Sequence, residues 1–220
     1  MRNIEDILNF RDDISPFLVH LTKNNATPAS DCLRSILRER RLVAGATLGD
    51  AKYGLSAQDF NGLGADDQRA LFGAVSMTET PLNDIHCLFD IVGRDINLLP
   101  YGLVFTKESM RALGASPVLY LNNDNGDKDD VVRALCSLRL TQPAVARQLL
   151  PLISFFGLKL SRPGYAGRVD NIPYDWLWER EWRYPHASGP LVFEHGSVFV
   201  GLCPDDEIEG FEAEFAGIPF

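Results

Sequence analysis

Apolar and polar positions change period several times along the chain, and each change marks an element. Ile4, Ile7, Leu8 and Phe10 recur among acids at helical intervals, so a short amphipathic helix is expected over 4–14, ended by Ser15-Pro16. Phe17 to Thr22 is compact and β-prone. Thr27-Pro28 then offers an N-cap and a first-turn proline to a helix with Leu33, Ile36 and Leu37 on one face. Leu42-Val43 reads as a short strand after Arg38-Glu39-Arg40-Arg41, and 45–73, rich in Gly, Asp and Ala, as a long, partly helical loop.

The second half of the pattern alternates in the same way. Ala74 to Thr80 reads as a strand closed by Pro81, and Leu82, Ile85, Leu88, Phe89 and Val92 as a helix face ended by Gly93. Tyr101 to Phe105 is a strong strand. Thr106 caps a helix that runs to Leu113 and stops at Gly114; Pro117 to Leu121 is a strand before the turn-rich Asn122 to Asp127. Asp127–Leu138 and Gln142–Phe156 read as helices. Two β-rich runs follow, Trp176–Tyr184 and Leu191–Val200, joined by a hairpin-like 185–190. Strands and helices mix without strict alternation, which favours α+β over a doubly wound sheet.

Composition narrows the class. At 220 residues, 45% hydrophobic and 23% charged, the chain suits one folded domain over 1–220 and excludes collagen-like and disordered classes. It contains no apolar run of transmembrane length, and Met-Arg-Asn-Ile-Glu-Asp lacks the apolar core of a signal peptide, so no membrane association and a cytoplasmic location are expected. Of the net charge of −9, −7 lies between Tyr184 and Phe220, where no Lys or Arg occurs. An acidic C-terminal segment over 204–220 disfavours non-specific nucleic-acid binding and suits a basic partner. Cys32, Cys87, Cys136 and Cys203 form no C-x-x-C pair, and His20, His86, His186 and His195 no ligand spacing; reduced thiols and no metal are expected.

The stretch Asp175-Trp176-Leu177-Trp178-Glu179-Arg180-Glu181-Trp182-Arg183-Tyr184 carries the chemistry. Read as a strand, it puts Leu177, Glu179, Glu181 and Arg183 on one face and the aromatic residues on the other. Alternate strand residues lie about 7 Å apart, a separation at which one carboxylate stabilises an oxocarbenium-like carbon while the second orients a nucleophile. The same alternation also describes an ordinary half-buried strand whose Glu and Arg residues pair across its surface.

Taken in order, Phe17 to Thr22 with its following helix, Val75 to Leu82, Tyr101 to Lys107, Pro117 to Tyr120 and Glu179-Arg180-Glu181-Trp182-Arg183 resemble the AbiGi-type abortive phage-resistance family. That family is in turn similar to the ADP-ribosyltransferase fold. The resemblance implies two small mixed or antiparallel sheets forming a cleft, flanking helices, and NAD as donor substrate. It implies cofactor binding by His20 and Thr22 of the first strand, an active-site floor supported by Ser76 and Thr78, and a stacking role for Tyr101. Glu181 would hold a ribose hydroxyl and stabilise the cation, and Glu179 would guide the acceptor.

The function expected from the resemblance is an NAD-dependent ADP-ribosyltransferase acting as toxin or effector in phage defence on a protein or nucleic-acid acceptor. Its rival is a non-catalytic, antitoxin-like protein that grips a cognate toxin on a degenerate transferase scaffold. A hydrolase of sugars or nucleosides rests on the carboxylate pair alone.

Overall fold

A computed structural model describes residues 13–24, 26–45, 63–89, 97–122, 128–156, 158–163, 169–174 and 177–220. In chain order the elements are β1 (Phe17–Lys23), α1 (Ala29–Glu39), β2 (Arg41–Leu42), α2 (Ala65–Phe72), β3 (Ala74–Thr78), β4 (Leu98–Thr106), α3 (Lys107–Leu113), β5 (Ser116–Pro117), β6 (Leu119–Asn122), α4 (Lys128–Thr141), α5 (Pro143–Leu149), β7 (Ile153–Phe156), β8 (Leu158–Pro163), β9 (Val169–Tyr174), β10 (Glu181–Pro185), β11 (Leu191–Val192), β12 (Val198–Leu202) and α6 (Ile208–Glu214). Short 3₁₀ turns fall between them. The protein is mixed α and β, with antiparallel pairing dominant. Nearly all of the expected helix at 4–14, most of the loop at 45–73, and Asp175-Trp176 lie outside the described residues. No described helix is long and apolar enough to cross a membrane.

The chain divides into two compact units, the first made of 1–42, 76–115 and 191–220, the second of 43–75 and 116–190. In the first, antiparallel strands run in the order β12-β4-β1-β3, with His20 opposite Leu103 and Val19 opposite Thr78. Alternation along β1 sends Phe17, Val19 and Leu21 to one face, where they meet Val104, Val200 and Leu202 under the 3₁₀ turn Leu82–Leu88. Leu18 and Leu103 are fully buried on the opposite face, where α1 packs on β1 and β4 with Leu33 and Leu37 buried. Each of these fully buried leucines contributes about 1.5–3 kcal/mol relative to exposure.

Local signals explain the helix ends. Thr106 Oγ1 accepts from Ser109 N–H at 3.2 Å, and Gly114 terminates α3 at φ 105°, a conformation that glycine adopts without steric cost. At α1 the expected Thr27 cap is replaced: Pro28 is the N-cap residue, and Asn24 Oδ1 accepts the Ala29 N–H at 2.9 Å. The helix expected from Leu82 is a 3₁₀ turn to Leu88 followed by extended Phe89; Asn83 and Asp84 compete with the backbone inside a helix, and only Leu88 is fully buried.

The second unit holds α2, α4 and α5 around Leu71, Phe72, Ala146 and Leu150. Beside them β6 and β7 pair in parallel, Leu119 opposite Ile153 and Leu121 opposite Phe155. Gln142 to Phe156 is therefore not one helix. Pro151 has no N–H with which to continue the helical ladder, so α5 passes through the 3₁₀ turn Leu150–Leu152 into the strand Ile-Ser-Phe-Phe. Similarly, Pro117 to Leu121 breaks at Val118, whose N–H donates to Glu181 O at 2.9 Å. An antiparallel pair of β8 and β9, Leu158 opposite Tyr174, lies in a stretch whose apolar pattern predicts no strand. The segment after β10 is a 3₁₀ turn, His186–Ser188, rather than a hairpin loop, and β11 pairs with β2.

Candidate functional site

The carboxylate pair belongs to the second unit, and its backbone departs from the expected single strand. Leu177–Glu179 is a 3₁₀ turn, Arg180 takes φ 46°, and only Glu181–Pro185 is extended. A left-handed non-glycine residue costs of order 1–3 kcal/mol, so the surroundings hold Arg180 in place. Glu179 and Glu181 thus flank a reversal of backbone conformation instead of sharing a strand face. Glu179 is buried.

Within β10 the alternation holds from Glu181 onward. Glu181 and Arg183 share a face and form a two-point ion pair: Nε donates to Oε1 at 2.9 Å and Nη2 to Oε2 at 2.7 Å. Arg183 Nη1 also donates to the carbonyls of Pro151 and Ile153, both at 3.0 Å, so the guanidinium is anchored where α5 becomes β7. Arg183 is 7% exposed, while the Glu181 side chain keeps 15% of its surface. The Glu181 N–H donates to Tyr120 Oη at 3.2 Å. Burial pushes the Tyr120 phenol well above its ordinary value; the hydrogen bond from the Glu181 N–H and the Arg183 charge oppose the shift, the Glu181 and Glu179 carboxylates add to it, and burial prevails.

The five residues expected to bind the cofactor belong to the first unit and occupy both faces of its sheet. His20 and Thr22 of β1 share the α1 face. His20 Nδ1 donates to Ser76 O at 2.8 Å; desolvation by burial lowers its pKa and outweighs that hydrogen bond, favouring the neutral ring. Thr22 Oγ1 lies 3.1 Å from the carbonyls of both Ala29 and Tyr101, linking β1 to the start of α1 and to β4. Tyr101 alternates with Gly102, the partner of Leu21, and so joins His20 and Thr22 on the α1 face.

Ser76 and Thr78 face the other way, because Thr78 stands opposite Val19 and strand partners share a face. Thr78 Oγ1 lies 2.8 Å from Thr80 Oγ1 and accepts from the Thr80 N–H, which closes the end of β3. Glu79, the further acid in this stretch, is buried and pairs with Lys107 Nζ at 2.9 Å.

Tyr101 is met by the acidic C-terminal segment. Its hydroxyl donates to Glu207, and its ring lies 6.4 Å from that of Phe211. Arg34 of α1 stands over the Phe211 ring at 4.2 Å and donates from Nε to Glu214 at 3.1 Å; Arg38 donates to the same carboxylate, and Arg40 pairs with Glu194. The acids that look like a free tail in the sequence are partly neutralised by the arginines of α1 and by Arg40 just beyond it.

Desolvation first, then the hydrogen bond to Glu207 and the charges of Glu207 and Asp206, push the Tyr101 phenol up to about 12. The folded state then keeps a proton that the unfolded chain loses near the ordinary value of about 10. Stability should therefore fall as pH rises between those two values. Absorbance at 295 nm during alkaline titration should show Tyr101 and Tyr120 titrating late, and Glu207→Gln should bring only Tyr101 earlier.

Around Glu181, Arg183 is legible from its position two residues later on one strand face. Tyr120 escapes a sequence reading, since its approach depends on the pairing of distant segments. Among the described residues, no group of three or more His, Cys, Asp or Glu is placed to hold a metal. Compared with family models, curated proteins and solved structures, the chain matches none.

Proposed function

We propose that the chain is an NAD-dependent ADP-ribosyltransferase in which Glu181 is the catalytic carboxylate, acting as an effector in phage defence as its resemblance to the abortive phage-resistance family implies. The observation that carries this reading is the state of Glu181: an acid fixed at the first position of a strand, still reaching the surface, with a second acid two residues before it. Cleavage of the bond between nicotinamide and ribose sends its electron pair to the ring nitrogen. Positive charge then develops at the ribose carbon, and a carboxylate already oriented toward that charge stabilises it without reorganising. An acceptor nucleophile completes the substitution and loses its proton, a role that suits Glu179.

Nicotinamide release from NAD, with thermal stabilisation by NAD as a measure of binding, tests the proposal. Glu181→Gln keeps the shape of the side chain and one acceptor for Arg183, so it should fold and bind NAD while losing a factor of about 10²–10³ in rate, as when one preorganised electrostatic group is removed. A wild-type protein that neither is stabilised by NAD nor releases nicotinamide refutes the reading.

A second reading, a non-catalytic partner protein on a degenerate scaffold, is favoured by one feature: both carboxylate oxygens of Glu181 are already on Arg183. It calls for a stable complex with a cognate toxin that survives Glu181→Gln.

A further inference from the structure

Glu181 is held at two points by residues that the proposed chemistry does not itself use. Its carboxylate accepts two hydrogen bonds from a guanidinium that is itself anchored, because Arg183 Nη1 is tied to the Pro151 and Ile153 carbonyls while Nε and Nη2 serve the acid. Its backbone N–H is tied to Tyr120 Oη. These supports come from three places: β10 itself, the passage from α5 into β7, and β6.

Such a cage exceeds what an ordinary strand-surface ion pair needs. Exposed Glu-Arg pairs contribute little to stability, and taking a guanidinium out of water costs free energy that one carboxylate alone repays poorly. The two carbonyl acceptors satisfy the remaining side of Arg183. The result is a carboxylate whose direction is set by a buried network, with its residual exposure left for something else.

We propose that Arg183 and Tyr120 are positioning residues for Glu181, Arg183 fixing the direction of the carboxylate and Tyr120 the strand position from which it projects. The inference rests on the transferase reading and adds to it the residues that make Glu181 competent. Neither side chain is assigned contact with the substrate. Each acts through Glu181, by holding it in the geometry at which charge stabilisation is effective.

The test compares kcat and KM for nicotinamide release from NAD by the full chain, with rates referred to folded protein by circular dichroism. Arg183→Lys keeps the charge but loses the two-point pairing and the carbonyl anchors. It should lower kcat about 100-fold with KM unchanged, the scale of a misplaced catalytic group. Tyr120→Phe keeps the ring and removes only the acceptor for the Glu181 N–H. It should lower kcat about tenfold, again with KM unchanged, the worth of one hydrogen bond.

A purely structural role would lower the melting temperature of both variants and leave kcat per folded molecule at the wild-type value, and that result overturns the proposal. If Arg183→Lys does not fold, Tyr120→Phe decides alone by the same split. Wild-type protein without nicotinamide release removes the transferase reading and the positioning roles together. An active wild type with both variants at its rate removes the positioning roles only.

Discussion

Truncation of Phe211 to alanine is expected to cost about 3–5 kcal/mol, the range for deleting a buried aromatic ring. Phe211 is fully buried, and its ring is surrounded by those of Tyr101 at 6.4 Å, Phe215 at 6.3 Å and Phe220 at 5.0 Å, with the Arg34 guanidinium over one face. Alanine removes the ring around which this end of the first unit packs. It also removes the surface over which Arg34 is held for Glu214 and Glu207. In a chain of this size the loss corresponds to a fall in melting temperature of order 10 °C, read by thermal circular dichroism. Val192→Thr, at a position 59% exposed in the same unit, should stay within about 0.5 kcal/mol of wild type. If Phe211→Ala melts with that control, the C-terminal helix does not belong to the core.

Gly102→Ala should destabilise at or above the upper end of the roughly 1–3 kcal/mol seen when groups are forced into filled space. A Cβ at this position would lie 2.4 Å from the His20 carbonyl oxygen and 3.0 Å from Leu21 Cδ2. Gly102 sits on β4 between β1 and β12, opposite Leu21 on one side and Leu202 on the other, so the obstructing atom is backbone in a ladder and cannot swing aside. Gly201→Ala is the informative contrast. Its Cβ would meet the Phe220 ring at 2.2 Å, but a side chain can rotate away where a carbonyl cannot. Urea denaturation should separate the two variants clearly; equal midpoints would mean that β1 and β4 do not approach as closely as described.

Where the chain announces its structure, it does so with local chemistry. Thr106 and Gly114 mark both ends of α3 because an N-cap hydroxyl and a left-handed glycine act within one turn of themselves. Phe17 to Thr22 reads correctly as β1 because its residues suit a strand covered on both faces. Ile153–Phe156 misleads because a short apolar run suits either period until its partner is known, and that partner, Leu119–Asn122, lies more than thirty residues earlier.

The candidate site was legible to the same extent. Glu181 and Arg183 on one face follow from alternation alone, but the left-handed Arg180 that takes Glu179 out of the strand has no sequence signature, because arginine rarely adopts that conformation. The distribution of His20, Thr22 and Tyr101 against Ser76 and Thr78 over two faces is a matter of register, which single-strand patterns do not contain. Charge composition found the acidic segment but not its partners, since Glu207 and Glu214 meet Arg34 more than 170 residues away.

The interleaving of the two units has a consequence for synthesis. Every segment of the second unit has been made once residue 190 is complete, whereas the first still lacks 191–220, which supply β11, β12, α6 and the Phe211 ring. Emerging from the ribosome, β4 waits nearly a hundred residues for β12 to cover its open side. Long-range closure of this kind slows folding and leaves hydrogen-bonding edges bare in the interval. A chain stalled before residue 198 would present β4 as a ready template for another strand.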